Sequence, residues 1–276
     1  EHFSDVFELE KILLHSFINK THNISIFSYL KKKIQIVDNS ALAFGDEGCG
    51  IPKSCIETDL HILEKRLINQ PDNVQLKIDL ATGYSCIGDL DKSLDLLQEV
   101  LNKNSEHVGA TIRYYWYKRF AEDPYESILW RDNLARLSEV HSQNMECFLF
   151  LAVWYAYDSL EANDSSEGLQ LIHFALKNLK RAEELKAIDL HQWVLLKYAK
   201  GIVLTHILPF QAQISEGIQA LKNILKEKET LESFYVERMP FFLKWLWPNL
   251  YFFLGVLCKN NWNQAFAQRY LSEAKL

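Results

Sequence analysis

Histidines, adjacent carboxylates and cysteines are the side chains here that could do chemistry, and their spacing argues against a linear catalytic motif. The nine histidines are His2, His15, His22, His61, His107, His141, His173, His191 and His206. No two share the i, i+4 spacing that puts two imidazoles on one helical face for zinc, and no His-Glu-x-x-His occurs. His173 and His206 sit among apolar residues, as core or helix-face imidazoles do. Glu183-Glu184 and Asp46-Glu47 are neighbours in sequence, so on a helix their carboxylates diverge by about 100 degrees and make a poor acid–base dyad. Neither Gly-x-Ser-x-Gly nor a Cys–His signature is present. Gly45, Gly48 and Gly50 precede no Gly-Lys-Ser/Thr, so they cradle no phosphate. The expectation is a protein that is not an enzyme and needs no metal or cofactor; catalysis is left only to residues assembled by folding.

Composition narrows the partners. The 276 residues are 48% hydrophobic and 24% charged, with 30 basic against 36 acidic side chains and a net charge of −6. That balance does not suit a phosphate-backbone binder, and Lys31-Lys32-Lys33 reads as a solvated helix face, so no nucleic acid is expected. The longest apolar run, Cys147 to Tyr157, has eleven residues, where a membrane span needs about 20. No membrane span is expected. Five cysteines form no CxxC pair. Cys86, Cys147 and Cys258 fall in apolar helical settings, whereas Cys49 and Cys55 flank a loop and could pair in an oxidising compartment. The odd count favours a cytoplasmic location. Glu1 in place of Met leaves a removed leader open, and with it a periplasmic or secreted alternative. The short sequons Asn23-Ile24-Ser25 and Asn163-Asp164-Ser165 do not change this.

The elements that must position any site are helices. Only ten Gly and six Pro favour long regular elements, and no run alternates convincingly as a strand. Apolar residues recur at helical spacing over Phe3–Ile18 and again over Ser25–Val37. Asp38–Lys53, with three glycines and Pro52, reads as a long connector. Ser54-Cys55-Ile56-Glu57 has the form of a capping box opening a helix that carries Leu60, Leu63 and Leu67. After Pro71-Asp72-Asn73, a helix holding Leu80, Ala81 and Tyr84 breaks at Gly88-Asp89, and a second carries Ser93, Leu97 and Val100. Val108–Ala121 follows, then Asp123-Pro124-Tyr125-Glu126 starts a further helix. Helical patterns continue over 124–140, 144–160, 165–185, 188–207, 212–228, 232–246 and 249–275, with a break near Asn260. Two regions follow: 1–53, N-terminal helices and connector, and 54–276, a helical repeat array.

Leu80, Ala81, Tyr84, Gly88, Ser93, Leu97 and Val100 stand at the intervals of the tetratricopeptide repeat, with Pro71 closing the preceding unit. Tyr251, Leu254, Gly255, Cys258, Trp262, Ala267, Leu271 and Ala274 repeat the pattern. The chain resembles the tetratricopeptide repeat family on these two stretches, and the units between them drift from about 34 residues to longer spacings. The resemblance implies an all-α fold: an α-solenoid of antiparallel helix pairs wound as a tetratricopeptide-like superhelix. It also implies a concave groove lined by the first helix of each unit. Carried over, the peptide-binding residues are Gln75, Ile78, Thr82 and Ser85 in one unit and Asn249, Phe252 and Val256 in the last. These are not the Lys, Arg and Asn of family members that clamp a carboxylate, so an extended or amphipathic peptide fits better.

The leading functional expectation is a non-catalytic scaffold that binds a protein or peptide partner on its concave face. The alternatives are an assembly subunit that joins a complex through its aromatic C-terminal segment, and an enzyme or ligand sensor whose site lacks a linear motif. Phe241, Phe242, Trp245, Trp247, Tyr251, Phe252 and Phe253 are denser than one helical layer needs. Because the polar residues of Ala265–Leu276 can cap the array, this cluster is expected to pack inward, giving a monomer.

Overall fold

Short polar side chains start the helices, and one glycine lets the first pair turn. Asn73 accepts from the Leu76 amide at 3.0 Å, Asp89 from Lys92 at 3.3 Å, Asn144 from Cys147 at 3.3 Å and Asp189 from Gln192 at 2.8 Å. Each satisfies an amide that has no partner within its own helix. Gly88 has φ +78°, a left-handed conformation that side chains with a Cβ resist. These signals sit where the sequence places them.

The computed structural model describes residues 53–121, 124–162, 165–206, 211–260 and 264–273. The expected helices Phe3–Ile18 and Ser25–Val37 lie outside the described residues, as do Cys49 with its pairing and all of the connector except Lys53. The described chain is all helical: α1 (Lys53–Asn69), α2 (Val74–Cys86), α3 (Leu90–Lys103), α4 (Val108–Ala121), α5 (Pro124–Val140), α6 (Met145–Glu161), α7 (Ser165–Glu184), α8 (Leu190–His206), α9 (Gln211–Lys226), α10 (Lys228–Tyr235), α11 (Pro240–Asn260) and α12 (Gln264–Glu273). Extensive packing pairs α2 with α3, α4 with α5, α6 with α7, α8 with α9 and α11 with α12. The first helices of these pairs begin at Val74, Val108, Met145, Leu190 and Pro240, so the repeat lengthens along the chain.

One stretch departs from the expected pattern. The helix predicted over 232–246 and the next from 249 are instead the short α10 and a single α11 that runs through Pro248. An interior proline costs a helix about 3 kcal/mol. Against this, Phe241, Leu246, Leu250 and Leu254 are fully buried, and each contributes about 1.5–3 kcal/mol. Asn249 also helps, its Nδ2 donating to the Trp245 carbonyl at 2.7 Å. Burial wins.

The core follows the repeat register. Leu80, Ala81, Tyr84, Leu97, Leu254 and Ala267 are buried, and Leu271 is half-buried. Ser93, buried on α3, donates from Oγ to the Ala81 carbonyl. Phe241, Phe242 and Phe253 are buried. Trp245, Trp247 and Phe252 lie partly buried against the same core. Cys86, Cys147 and Cys258 are buried free thiols; burial pushes the Cys147 thiol up to about 12.

The array closes on itself. Each first helix meets the next, from α2 through α4, α6 and α8 to α11, and α11 in turn packs on α1 and α2. Gly83 makes this approach possible: a Cβ there would sit 2.2 Å from Leu60 Cδ2 on α1 and 3.1 Å from the Phe241 ring on α11. Lys244 of α11 reaches α1 twice, pairing with Asp59 at 2.7 Å and donating to the Cys55 carbonyl at 3.0 Å. Among the described residues, no helix is long and apolar enough to cross a membrane.

Candidate functional site

Polar side chains from the first two turns of successive inner helices meet at one end of the closed layer. On α2, Gln75 Nε2 donates to Asp79 Oδ1 at 2.7 Å. Asp79 faces Arg238, just before α11, at 3.6 Å. On α4, Arg113 Nη1 donates to Glu146 Oε2, on the first turn of α6, at 2.8 Å. On α8, His191 Nδ1 lies 2.7 Å from the Tyr235 hydroxyl at the end of α10. The segment between α10 and α11 therefore reaches across to α2 and α8. It touches α1 as well, where Arg66 donates to the Glu237 carbonyl.

These groups feel one another. Burial raises Asp79 above the usual carboxylate range, against the opposing pull of Gln75, Arg238 and Arg113. Burial also disfavours charge on Glu146, but the Arg113 guanidinium outweighs it and holds that carboxyl below its ordinary value. Burial and the nearby Arg113 depress the His191 imidazole to about 4, so it is neutral at pH 7. With His191 neutral, the carboxyl groups of Asp79 and Glu146 face the guanidiniums of Arg238 and Arg113. A buried pair such as Arg113–Glu146 is weak evidence for added stability, because desolvation consumes much of the Coulombic gain. Several perturbed ionisable groups gathered at one place mark a functional-site candidate.

A second cluster ties α4, α5 and α6 together. Arg119 and Arg131 each donate to one oxygen of Asp158, the latter at 2.6 Å. Arg119 lies over the Trp154 and Tyr157 rings and Arg131 over Tyr155. Asp158 answers both cations, so this cluster reads as an interhelical clasp.

The seven residues carried over from the repeat resemblance separate. Gln75 is exposed on the polar rim. Ile78 is only 3% exposed and packs with Leu97, Val100, Ala110 and Tyr117. Thr82 and Ser85 are half-buried; their hydroxyls donate to Ile78 and Thr82 carbonyls and meet the Tyr117 hydroxyl of α4. This stripe is thus the α2–α4 contact, and Ile78→Asp would disrupt the core rather than probe a surface. Asn249 is fully buried, with no hydrogen-bond partner for its Oδ1 among the described residues. Phe252 is half-buried against the core, and the Val256 side chain lies outside the described residues.

Sequence reasoning missed Asp79, Arg113, Glu146, His191 and Arg238. A partial signal was present: Glu146 and His191 are the second residues of apolar first helices and Arg238 lies just before one, whereas Asp79 and Arg113 lie in the second turns of theirs. Of the two histidines read as core or helix-face imidazoles, His173 is exposed and the His206 side chain lies outside the described residues; His191, which was not singled out, is buried. Among the described residues, no group of three or more His, Cys, Asp or Glu is placed to hold a metal ion. A scan against protein-family models and a search of curated proteins return no match to this chain.

Proposed function

We propose that this chain is a tetratricopeptide-like recognition module that holds a polypeptide partner without catalysing a reaction, and that the polar rim of its inner helices is where the partner engages. The observation that carries this reading is the convergence of Gln75, Asp79, Arg113, Glu146 and His191 from successive inner helices onto one end of the closed layer. Packing alone does not call for buried charges, which cost several kcal/mol each to desolvate. Exposed Gln75 gives the rim an accessible edge. Helical repeat arrays use such composite surfaces, assembled from successive units, for binding. The inward packing of Phe241, Phe242 and Phe253 supports a monomer as the working form.

The test is affinity capture with quantitative mass spectrometry on three full-length forms. Gln75→Trp places bulk on an exposed rim position, and Leu129→Trp does so on the exposed side of α5. The proposal expects a polypeptide captured by the wild type and by Leu129→Trp but depleted at least about tenfold by Gln75→Trp, roughly 1.4 kcal/mol of binding. Equal capture by all three forms contradicts a rim site.

A further inference from the structure

The helix that breaks the repeat is also the one that covers the rim. Three pairs are linked directly to the next, but α10 is inserted between α9 and α11. Its start lacks a side-chain cap, since Glu227 makes no capping hydrogen bond. Among the helices, α10 packs chiefly on α11. Its inward face is Leu231 and Tyr235, one turn apart and both fully buried, followed by Met239. Glu227, Lys228, Glu229, Glu232, Val236 and Glu237 face solvent.

The contacts of this segment are those a bound helix would make. Tyr235 sets its hydroxyl 2.7 Å from His191 Nδ1 of α8 and its ring against Phe242 of α11, with centroids 4.7 Å apart. Arg238 meets Asp79 of α2, and the Glu237 carbonyl accepts from Arg66 of α1. One short stretch thus engages four other elements through one apolar face and a few polar tips, as an amphipathic helix does when it lies in a groove.

We propose that Glu227–Met239 is an intramolecular stand-in that occupies the rim, and that the partner is an amphipathic helical segment with an aliphatic residue, an aromatic residue four positions on and an arginine three beyond that. The spacing is that of Leu231, Tyr235 and Arg238. This inference rests on the rim being the binding site. A partner helix competes by offering the same hydroxyl or ring to His191 and the same guanidinium to Asp79, after the resident segment lifts away.

The probe is a fluorescein-labelled peptide with the sequence of residues 227–239, titrated by anisotropy into the full-length chain. Two forms are compared: the wild type and a Leu231→Ser/Tyr235→Ser variant whose own segment is loosened. The expected result is binding to the variant at least about tenfold tighter than to the wild type. A peptide carrying Arg238→Glu should lose at least about tenfold of that affinity. Equal affinity for both forms, with helicity retained, overturns the proposal, as does equal binding of the charge-reversed peptide. Hydrogen exchange on the wild type covers the case in which the variant does not fold. Amides of α10 should then exchange at least about tenfold faster than those of α9 and α11, and matched rates overturn the proposal. Capture sensitive to Gln75→Trp combined with failure of the peptide keeps the rim and removes the stand-in.

Discussion

Lowering the pH below neutrality should loosen the fold through His191. The imidazole titrates near 6.5 in an unfolded chain and at about 4 when buried beside Arg113. Below pH 6.5 the unfolded state takes up a proton that the folded state refuses, so acid favours unfolding. The stability that depends on this group is fully present above pH 6.5, declines as pH falls towards 4 and is constant below that. At about 1.4 kcal/mol per pH unit of difference, the full loss is about 3 kcal/mol, of which about 2 kcal/mol is gone by pH 5. Glu146 acts in the same direction only at more acid pH, since its folded carboxyl is held below the ordinary range. Asp79 acts oppositely, because burial raises its carboxyl and the folded state accepts that proton first. Both remain in a His191→Gln variant, so the difference between variant and wild type isolates the imidazole. Urea unfolding at pH 7 and pH 5 reads the effect. The wild type should lose about 2 kcal/mol more than His191→Gln over that interval. Parallel losses in the two proteins would refute the claim that His191 is buried neutral against the rim.

Other perturbations follow from the same contacts. Arg113→Met leaves Glu146 buried without its cation and should cost about 3–5 kcal/mol in urea unfolding; adding Glu146→Leu should recover most of that. Gly83→Ala forces a Cβ against Leu60 and Phe241 and should cost about 1–3 kcal/mol by overpacking. Gly88→Ala meets nothing within 4 Å but must hold φ +78°, so its cost should be about 1–2 kcal/mol from backbone strain alone. Ala81→Leu, at a fully buried site between helices, should lower the thermal midpoint through a loss of about 1–3 kcal/mol.

Local signals made the helix pairs legible. Asn73, Gly88 and Asp89 act within a few residues of themselves, by capping and by left-handed backbone, so their types and order suffice. Closure was not legible. It depends on Gly83 meeting Phe241, on Lys244 reaching Asp59 and on Arg66 reaching the Glu237 carbonyl, and nothing in a single repeat fixes where the last one lands. The break read between 246 and 249 failed for a related reason: proline ends helices by local rules, whereas α11 runs through Pro248 because it is held by what it buries. The transferred groove positions Ile78, Thr82 and Ser85 share one helical stripe, and α4 covers it once the repeats stack. The rim itself was half visible: Glu146 interrupts an apolar helix start between Met145 and Cys147, and Asp79 sits beside Leu80. Their convergence needed the fold.

The most direct test of the rim as a recognition site is photo-crosslinking from a genetically placed benzoylphenylalanine. Installed at Gln75 in the full-length chain, it should give a discrete higher-mass polypeptide adduct, and the adduct should map by mass spectrometry to one helical segment of one partner. The same group at Leu129, on the exposed side of α5, should give no such adduct. Adducts from Leu129 with none from Gln75 would contradict the account.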